Sequence, residues 1–212
     1  MAAMSPTVET PPSLVAAQPD VTWRVAEFFP RQGQWSVDEY LALPTNRLVE
    51  YVDGRLEFPE MPTIPHQRLA KWLLAWLEGH VTAAGLGEAF PPPLPVYTIP
   101  ERYREPDVFF ATHAQLADRK YADGGVSLVM EVVSDDAKSR HRDLVTKRLE
   151  YAAAGIPEYW IIDPSEQTVC VLTLEGDAPE YAEHGVFGTG DTASSVLLAG
   201  FSIDVSELFA VS

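Results

Sequence analysis

Apolar positions recur along the chain with two different periods, and each change of period marks an element. In residues 66–84, Leu69, Leu73, Leu74, Leu77 and Val81 follow helical spacing, and Trp72 and Trp76 add bulk that reads as packing. A second helix is predicted over residues 139–154, with an apolar stripe of Leu144, Val145, Tyr151 and Ala152 and a stop at Gly155 and Pro157. Ser36 ahead of Val37-Asp38-Glu39-Tyr40-Leu41 is an N-cap with acids in the first turn, so a short helix should end near Pro44. Residues 47–58 alternate about Asp53-Gly54, a hairpin signal. Residues 94–99, 107–111, 126–133, 158–162, 168–174 and 181–187 read as strands, and residues 205–210 as a short closing helix. There is no internal repeat. Mixed strands with two substantial helices predict an α/β or α+β fold, one mixed sheet flanked by helices.

Residues 1–22 are rich in Pro, Ala, Ser and Thr without periodicity and predict a disordered tail, which leaves residues 23–212 as a single domain. The chain of 212 residues is 46% apolar and 22% charged, a globular composition. No apolar run is long enough to cross a bilayer, and no signal peptide is legible at the start, so a cytoplasmic protein is expected. One cysteine, Cys170, excludes an internal disulfide framework and a cysteine-based zinc cluster.

Charge changes the picture more. Fifteen Lys and Arg face 31 Asp and Glu, a net charge of −16, which argues against a general polyanion binder. The cations all lie between Arg24 and Arg148, and the chain beyond is acidic. One segment reverses the sign: Lys138, Arg140, Arg142, Lys147 and Arg148 stand against Asp143 alone. It reads either as a surface for a phosphate chain, through Lys138, Arg140 and Arg142, or as a solvated helix face.

The motifs of several chemistries are absent: no G-x-S-x-G, no P-loop, no G-x-G-x-x-G after a strand, no H-E-x-x-H. What remains is a set of carboxylates on predicted strands. Asp107 follows Pro106 at a strand start, Glu131 lies inside Leu128-Val129-Met130-Glu131-Val132-Val133, and Glu50 sits in the hairpin. A carboxylate in an apolar strand is costly to bury unless it is paired or binds a metal. Brought together, such acids make a hard-oxygen site for Mg²⁺ or Mn²⁺, and a lysine beside them completes a device for phosphodiester hydrolysis.

Pro106-Asp107, then Glu131-Val132-Val133-Ser134, then Asp143-x-x-x-Lys147-x-x-x-Tyr151, then Gly155-Ile156-Pro157-Glu158-Tyr159-Trp160-Ile161-Ile162-Asp163-Pro164 resembles the bacterial Uma family of restriction endonucleases, in the PD-(D/E)XK superfamily. The resemblance reaches upstream to Glu50-Tyr51-Val52-Asp53-Gly54 and His66, and covers about residues 35 to 210. It implies a restriction-endonuclease-like mixed sheet, divalent-metal-dependent cleavage of DNA, and DNA as partner, and it allows a homodimer. Carried over, Asp107 is the first metal ligand, Glu131 the second and the Val132 carbonyl a third, with Glu50 as an outer ligand. The superfamily's lysine two residues after the second acid is here Val133, which supplies no cation. Lys147 is the candidate replacement, with Asp143, Lys147 and Glu150 as a polar stripe at the border of the helix's buried face. His66 and Tyr151 are possible accessories.

Blander roles stay open for each. Asp107 can cap a turn, Glu131 can face water on an edge strand, and Glu50 can pair with Arg47 or Arg55. Lys147 stands four residues from Asp143, the spacing of a surface pair, Tyr151 adjoins the apolar stripe, and His66 can be a helix-start residue. Without a working lysine the chain would instead be a weakened nuclease-fold domain that binds nucleic acid or a protein.

Overall fold

A computed structural model describes residues 30–176 and 178–211, apart from the side chain of Lys138. The tail expected at residues 1–22 and the domain start at residue 23 lie outside the described residues. The elements run α1 (Val37–Leu41), β1 (Glu50–Val52), β2 (Arg55–Glu57), α2 (Ile64–Ala83), β3 (Gly87–Phe90), β4 (Val96–Tyr97), β5 (Arg102–Arg104), β6 (Val108–Thr112), α3 (His113–Leu116) and β7 (Leu128–Val132). They continue with α4 (Ala137–His141), a π-helical turn (Arg142–Thr146), α5 (Lys147–Ala153), β8 (Glu158–Asp163), β9 (Thr168–Thr173), β10 (Ala182–Phe187), β11 (Thr192–Ser194), β12 (Ser202–Asp204) and α6 (Val205–Phe209).

The central sheet has the order β10-β9-β8-β7-β6-β3, antiparallel except for the parallel pair β7 and β8. That one parallel contact requires a crossover, and residues 137–153 supply it as a helix. Alternation along β7 sorts the two faces. Leu128, Met130 and Val132 join Leu69, Leu73, Leu77 and Val81 of α2 in one core. Val129 and Val133 join Tyr151 and Ala152 of α5 in the other. Glu131 has the parity of this second face, so its carboxylate points toward α5.

A smaller antiparallel sheet, β2-β1-β5-β4, packs its own aromatic cluster of Trp35, Tyr40, Tyr51 and Tyr103. The β1–β2 turn places Asp53 and Gly54 at φ 50° and 75°. A Cβ on Gly54 would also meet the Gly33 backbone at 2.9 Å, so the hairpin's glycine is required twice over. Ser36 caps α1 with a full capping box.

The mixed sheet with flanking helices is the architecture expected. Four details differ from the sequence pattern. Residues 94–99 yield only the two-residue β4. The helix of residues 139–154 starts at Ala137 and is interrupted by the π turn. Strands β3, β5, β11 and β12 are short and polar, and alternation does not reveal them. Trp76 stacks on Trp72 but is half-exposed, and its indole N–H donates to the Ser202 carbonyl at 2.8 Å.

Candidate active site

The pairing of β6 with β7 sets Val108 opposite Met130, which brings Asp107, the residue before β6, beside the end of β7. There the Val132 backbone N–H donates to Asp107 Oδ2 at 2.8 Å. His66, in the first turn of α2, approaches the same oxygen with Nε2 at 3.3 Å, and its Nδ1 is buried with no hydrogen-bond partner among the described residues. Burial opposes a charge on His66, but the hydrogen bond and charge of Asp107, with Glu131 adding, raise its pKa.

From the other side, α5 presents Lys147. Its ammonium donates to Glu131 Oε1 at 2.8 Å and lies 3.4 Å from Asp143 Oδ1 and 3.5 Å from Glu50 Oε1. Tyr151, one turn on, donates its hydroxyl to Glu131 Oε1 at 2.7 Å. Burial works against the charge on this lysine, but Glu131, Glu50 and Asp143 outweigh it and raise the pKa, so the ammonium stays protonated. Glu131 goes the other way. Burial pushes its carboxyl up more than Lys147 pulls it down, and Asp107 and Asp143 add to the rise. Asp143, Lys147 and Glu150 are all buried, so the polar stripe is not a border facing water. It faces carboxylates and cations carried by the two sheets.

Those partners form a second ring. Arg104, 2% exposed, donates to Glu50 Oε2 at 2.7 Å and to Glu57, and forks onto both oxygens of Glu150 at 2.7 and 2.8 Å. Arg102 bridges Asp53 and Glu150. Both Glu50 oxygens are engaged, one by Arg104 and the other by Lys147 and the Glu105 N–H. Glu50 thus stands as a partner of cations rather than as a free outer metal ligand. The ion pairs of Glu50 among the described residues are with Arg104 of β5 and Lys147 of α5.

These groups line one cavity of about 800 Å³. Asp107, Glu131, Val132, Lys147, Glu50, His66 and Arg142 lie on its wall, and Tyr151 stands behind Glu131. The rest of the basic segment is not with them. Arg140 forks onto Asp163 at 2.7 and 3.1 Å, because the first turn of the crossover lies against the end of β8. Arg142 pairs with Asp143 at 3.3 Å. The segment of Lys138, Arg140 and Arg142 is therefore no single phosphate-facing surface: Arg140 is held by an acid of the C-terminal third, and the Lys138 side chain lies outside the described residues.

Sequence reasoning missed Arg104 and Glu105. Glu105 lines the cavity, accepts from the Val49 N–H at 3.0 Å, and is pushed up to about 7 by burial, with that hydrogen bond opposing and Glu50 adding. The signal is the run Arg102-Tyr103-Arg104-Glu105 just before Pro106-Asp107, three charges in a stretch that alternation leaves unassigned.

Six acids (Glu50, Glu60, Glu105, Asp107, Glu131 and Asp143) and three permanent cations (Arg47, Arg142 and Lys147) line the cavity. Among the described residues no three His, Cys, Asp or Glu side chains converge as a metal cluster. The donor set on offer is smaller. Asp107 Oδ1 and Glu131 Oε2 make no hydrogen bond among the described residues. The N–H and C=O of a strand residue point to the same side, so the Val132 carbonyl shares the side of Asp107. Two carboxylates and a carbonyl are hard oxygen donors of the kind Mg²⁺ and Mn²⁺ take, with water completing the shell.

A family model described as "Uma2: Putative restriction endonuclease" matches residues 37–206. Among solved structures, the chain is similar to a putative nuclease belonging to DUF820 from Anabaena variabilis. The two share 22% sequence identity and a TM-score of 0.65, over 82% of this chain and 96% of that one, which establishes the shared fold. No curated protein matches the chain.

Proposed function

Because the chain belongs to the Uma2 family, described as "Putative restriction endonuclease", we propose that it is a divalent-metal-dependent DNA endonuclease with its reaction at Asp107, Glu131 and Lys147. The observation that carries the reading is the position of Lys147. Its ammonium stands 2.8 Å from Glu131, where Val133 cannot supply a cation. Asp107 Oδ1 and Glu131 Oε2, carboxyl oxygens of the cavity wall with no hydrogen bond among the described residues, favour a bound cation.

Asp107, Glu131 and the Val132 carbonyl would hold Mg²⁺ or Mn²⁺. When bound, the ion offsets negative charge on the attacked phosphate and makes water more acidic. The chain's own groups do the rest. The Val132 N–H and His66 fix Asp107 through Oδ2 and leave Oδ1 to bind. Lys147 and Tyr151 fix Glu131 through Oε1 and leave Oε2. Lys147 keeps its proton and so adds a fixed positive charge at the cavity wall, where charge develops on the phosphate. Arg104 acts at one remove: by gripping Glu50 and Glu150 it anchors α5 to the small sheet.

The test is cleavage of plasmid DNA with Mg²⁺ or Mn²⁺, together with calorimetric metal titration, for wild type and Asp107→Ala. Metal-dependent cleavage and metal binding, both lost in the variant, are expected. A folded wild type that binds no metal and cleaves nothing would leave the weakened binding module as the better reading.

A further inference from the structure

Two depressions meet at the rim of the active-site cavity. The large one, which holds Asp107 and Lys147, and a shallower one of about 250 Å³ share Pro62 and Gln67, so the two adjoin at the start of α2. Ile64, Arg68 and Lys71 line the shallower part. Arg68 and Lys71 stand three residues apart on α2 and so project from one face. Both are exposed, and neither makes an ion pair among the described residues. This sets them apart from Arg102, Arg104, Arg140, Arg142 and Lys147, each of which faces a carboxylate of the chain itself.

Between these cations and the cavity stand Met61, 91% exposed, and Ile64, 70% exposed. Pro59, Pro62 and Pro65 restrict the backbone on either side, so the apolar groups are held out in water. Unpaired cations beside exposed apolar groups, at the rim of the proposed phosphodiester-cleaving site, match the chemistry of a nucleic-acid strand whose phosphates meet the cations and whose unstacked bases bury apolar surface against Met61 and Ile64.

We propose that Arg68, Lys71, Met61 and Ile64 form a subsite for an unpaired DNA strand that runs into the cavity, so that the substrate is presented single-stranded. The inference rests on the nuclease reading above. A duplex fits this surface less well. It carries one phosphate per about 1.7 Å of axis and calls for a broad cationic face. The chain has a net charge of −16, and at this rim it offers the pair Arg68 and Lys71.

The experiment measures binding of the full chain, in EDTA and across a salt series, to a labelled single strand of about 12 nucleotides and to a hairpin duplex of the same sequence. Cleavage of both is then followed with Mn²⁺. Wild type should bind the single strand more tightly. Arg68→Glu with Lys71→Glu should lower that affinity by about tenfold or more and flatten the logarithmic salt slope by about 1.4, two contacts at about 0.7 each. Met61→Ser with Ile64→Ser should weaken binding by about fivefold or more and leave the slope unchanged. All four side chains are exposed, so the variants should fold, which circular dichroism checks. Tighter binding of the duplex would overturn the proposal. So would a folded charge-reversed variant with wild-type affinity and slope; if wild type still cleaves, the subsite alone is retired. A wild type that neither binds nor cleaves DNA would sink the nuclease reading and the subsite with it. Dimerisation abolished by Met61→Ser with Ile64→Ser, with DNA binding untouched, would assign the rim to a second copy and also overturn it.

Discussion

An ammonium held among three carboxylates behaves differently from one on a helix surface, and Lys147 separates the two cases by experiment. Its side chain is 4% exposed, and it meets Glu131, Asp143 and Glu50. An exposed i,i+4 pair with Asp143 alone would contribute about 0.5 kcal/mol. Removing a buried cation instead leaves buried carboxylates uncompensated, which costs about 3 kcal/mol. Lys147→Ala should therefore lower stability in urea by several times the surface value and lower cleavage by roughly 10²-fold. Urea unfolding and plasmid cleavage on the same preparation check both, and wild-type cleavage by a folded Lys147→Ala would remove this lysine from the chemistry. Tyr151→Phe is a milder version. It deletes one hydrogen bond to Glu131 Oε1 and keeps the ring in the core, so a loss of about 1 kcal/mol is expected, read by the same urea series. Much of this was legible at the level of residues. Asp107 and Glu131 stand out because acids in apolar strands demand a partner, Lys147 because the family resemblance places a lysine there where Val133 supplies no cation, and the cavity holds all three. Their partners were not legible. Arg104 is named by nothing local, since only the pairing of β5 with β1 brings it to Glu50.

At the scale of elements, the crossover from β7 to β8 brings Asp143, Lys147 and Tyr151 to Glu131. Long apolar periods made α2 and the strands β7, β8 and β9 readable, because burial on one or both faces imposes the pattern. The π-helical turn at Arg142–Thr146 was not readable, since it is set by what the helix packs against: Tyr159 donates its hydroxyl to the Asp143 carbonyl within it at 2.9 Å. The start of the crossover is tied down by the Arg140–Asp163 fork, and this tie has a pH signature. Burial works to raise the Asp163 pKa, but the Arg140 hydrogen bond and charge and the N–H groups of Glu166 and Ser165 outweigh it, so the carboxyl is held below its ordinary value. A depressed native pKa means that the stabilisation is complete above the unfolded value of about 3.9 and is lost as pH falls through the native one. Arg140→Ala should be less stable than wild type by up to about 1 kcal/mol at pH 6, and that gap should begin to shrink below about pH 4 and close at about pH 2, once Asp163 is protonated in the folded chain too. Urea midpoints at the two pH values check this. A gap that persists in acid would mean that Arg140 contributes through packing rather than charge.

For the molecule as a whole, the decisive quantity is the charge that folding concentrates. The net charge is −16, and the cavity wall gathers six carboxyl groups against three permanent cations. Bringing like charges into one low-dielectric space opposes folding, so an ion that binds only the folded arrangement must stabilise it by mass action. At a hundredfold excess over its dissociation constant a divalent ion adds about 2.7 kcal/mol. For a chain of this size, that corresponds to roughly 5–10 °C in melting temperature. Mn²⁺ should therefore raise the melting temperature of wild type beyond what NaCl of equal ionic strength achieves, since simple screening acts on the whole acidic surface. Asp107→Asn separates the two contributions. The amide keeps an oxygen that can accept from the Val132 N–H and removes one negative charge, so without metal the variant should melt at or above wild type. With Mn²⁺ it should gain only the increment that NaCl gives. Equal Mn²⁺ shifts in wild type and variant would locate the ion on the general acidic surface and not between Asp107 and Glu131. A shift beyond the NaCl increment in wild type alone, with the metal-free variant melting at or above metal-free wild type, is the result expected of an ion held between Asp107 and Glu131.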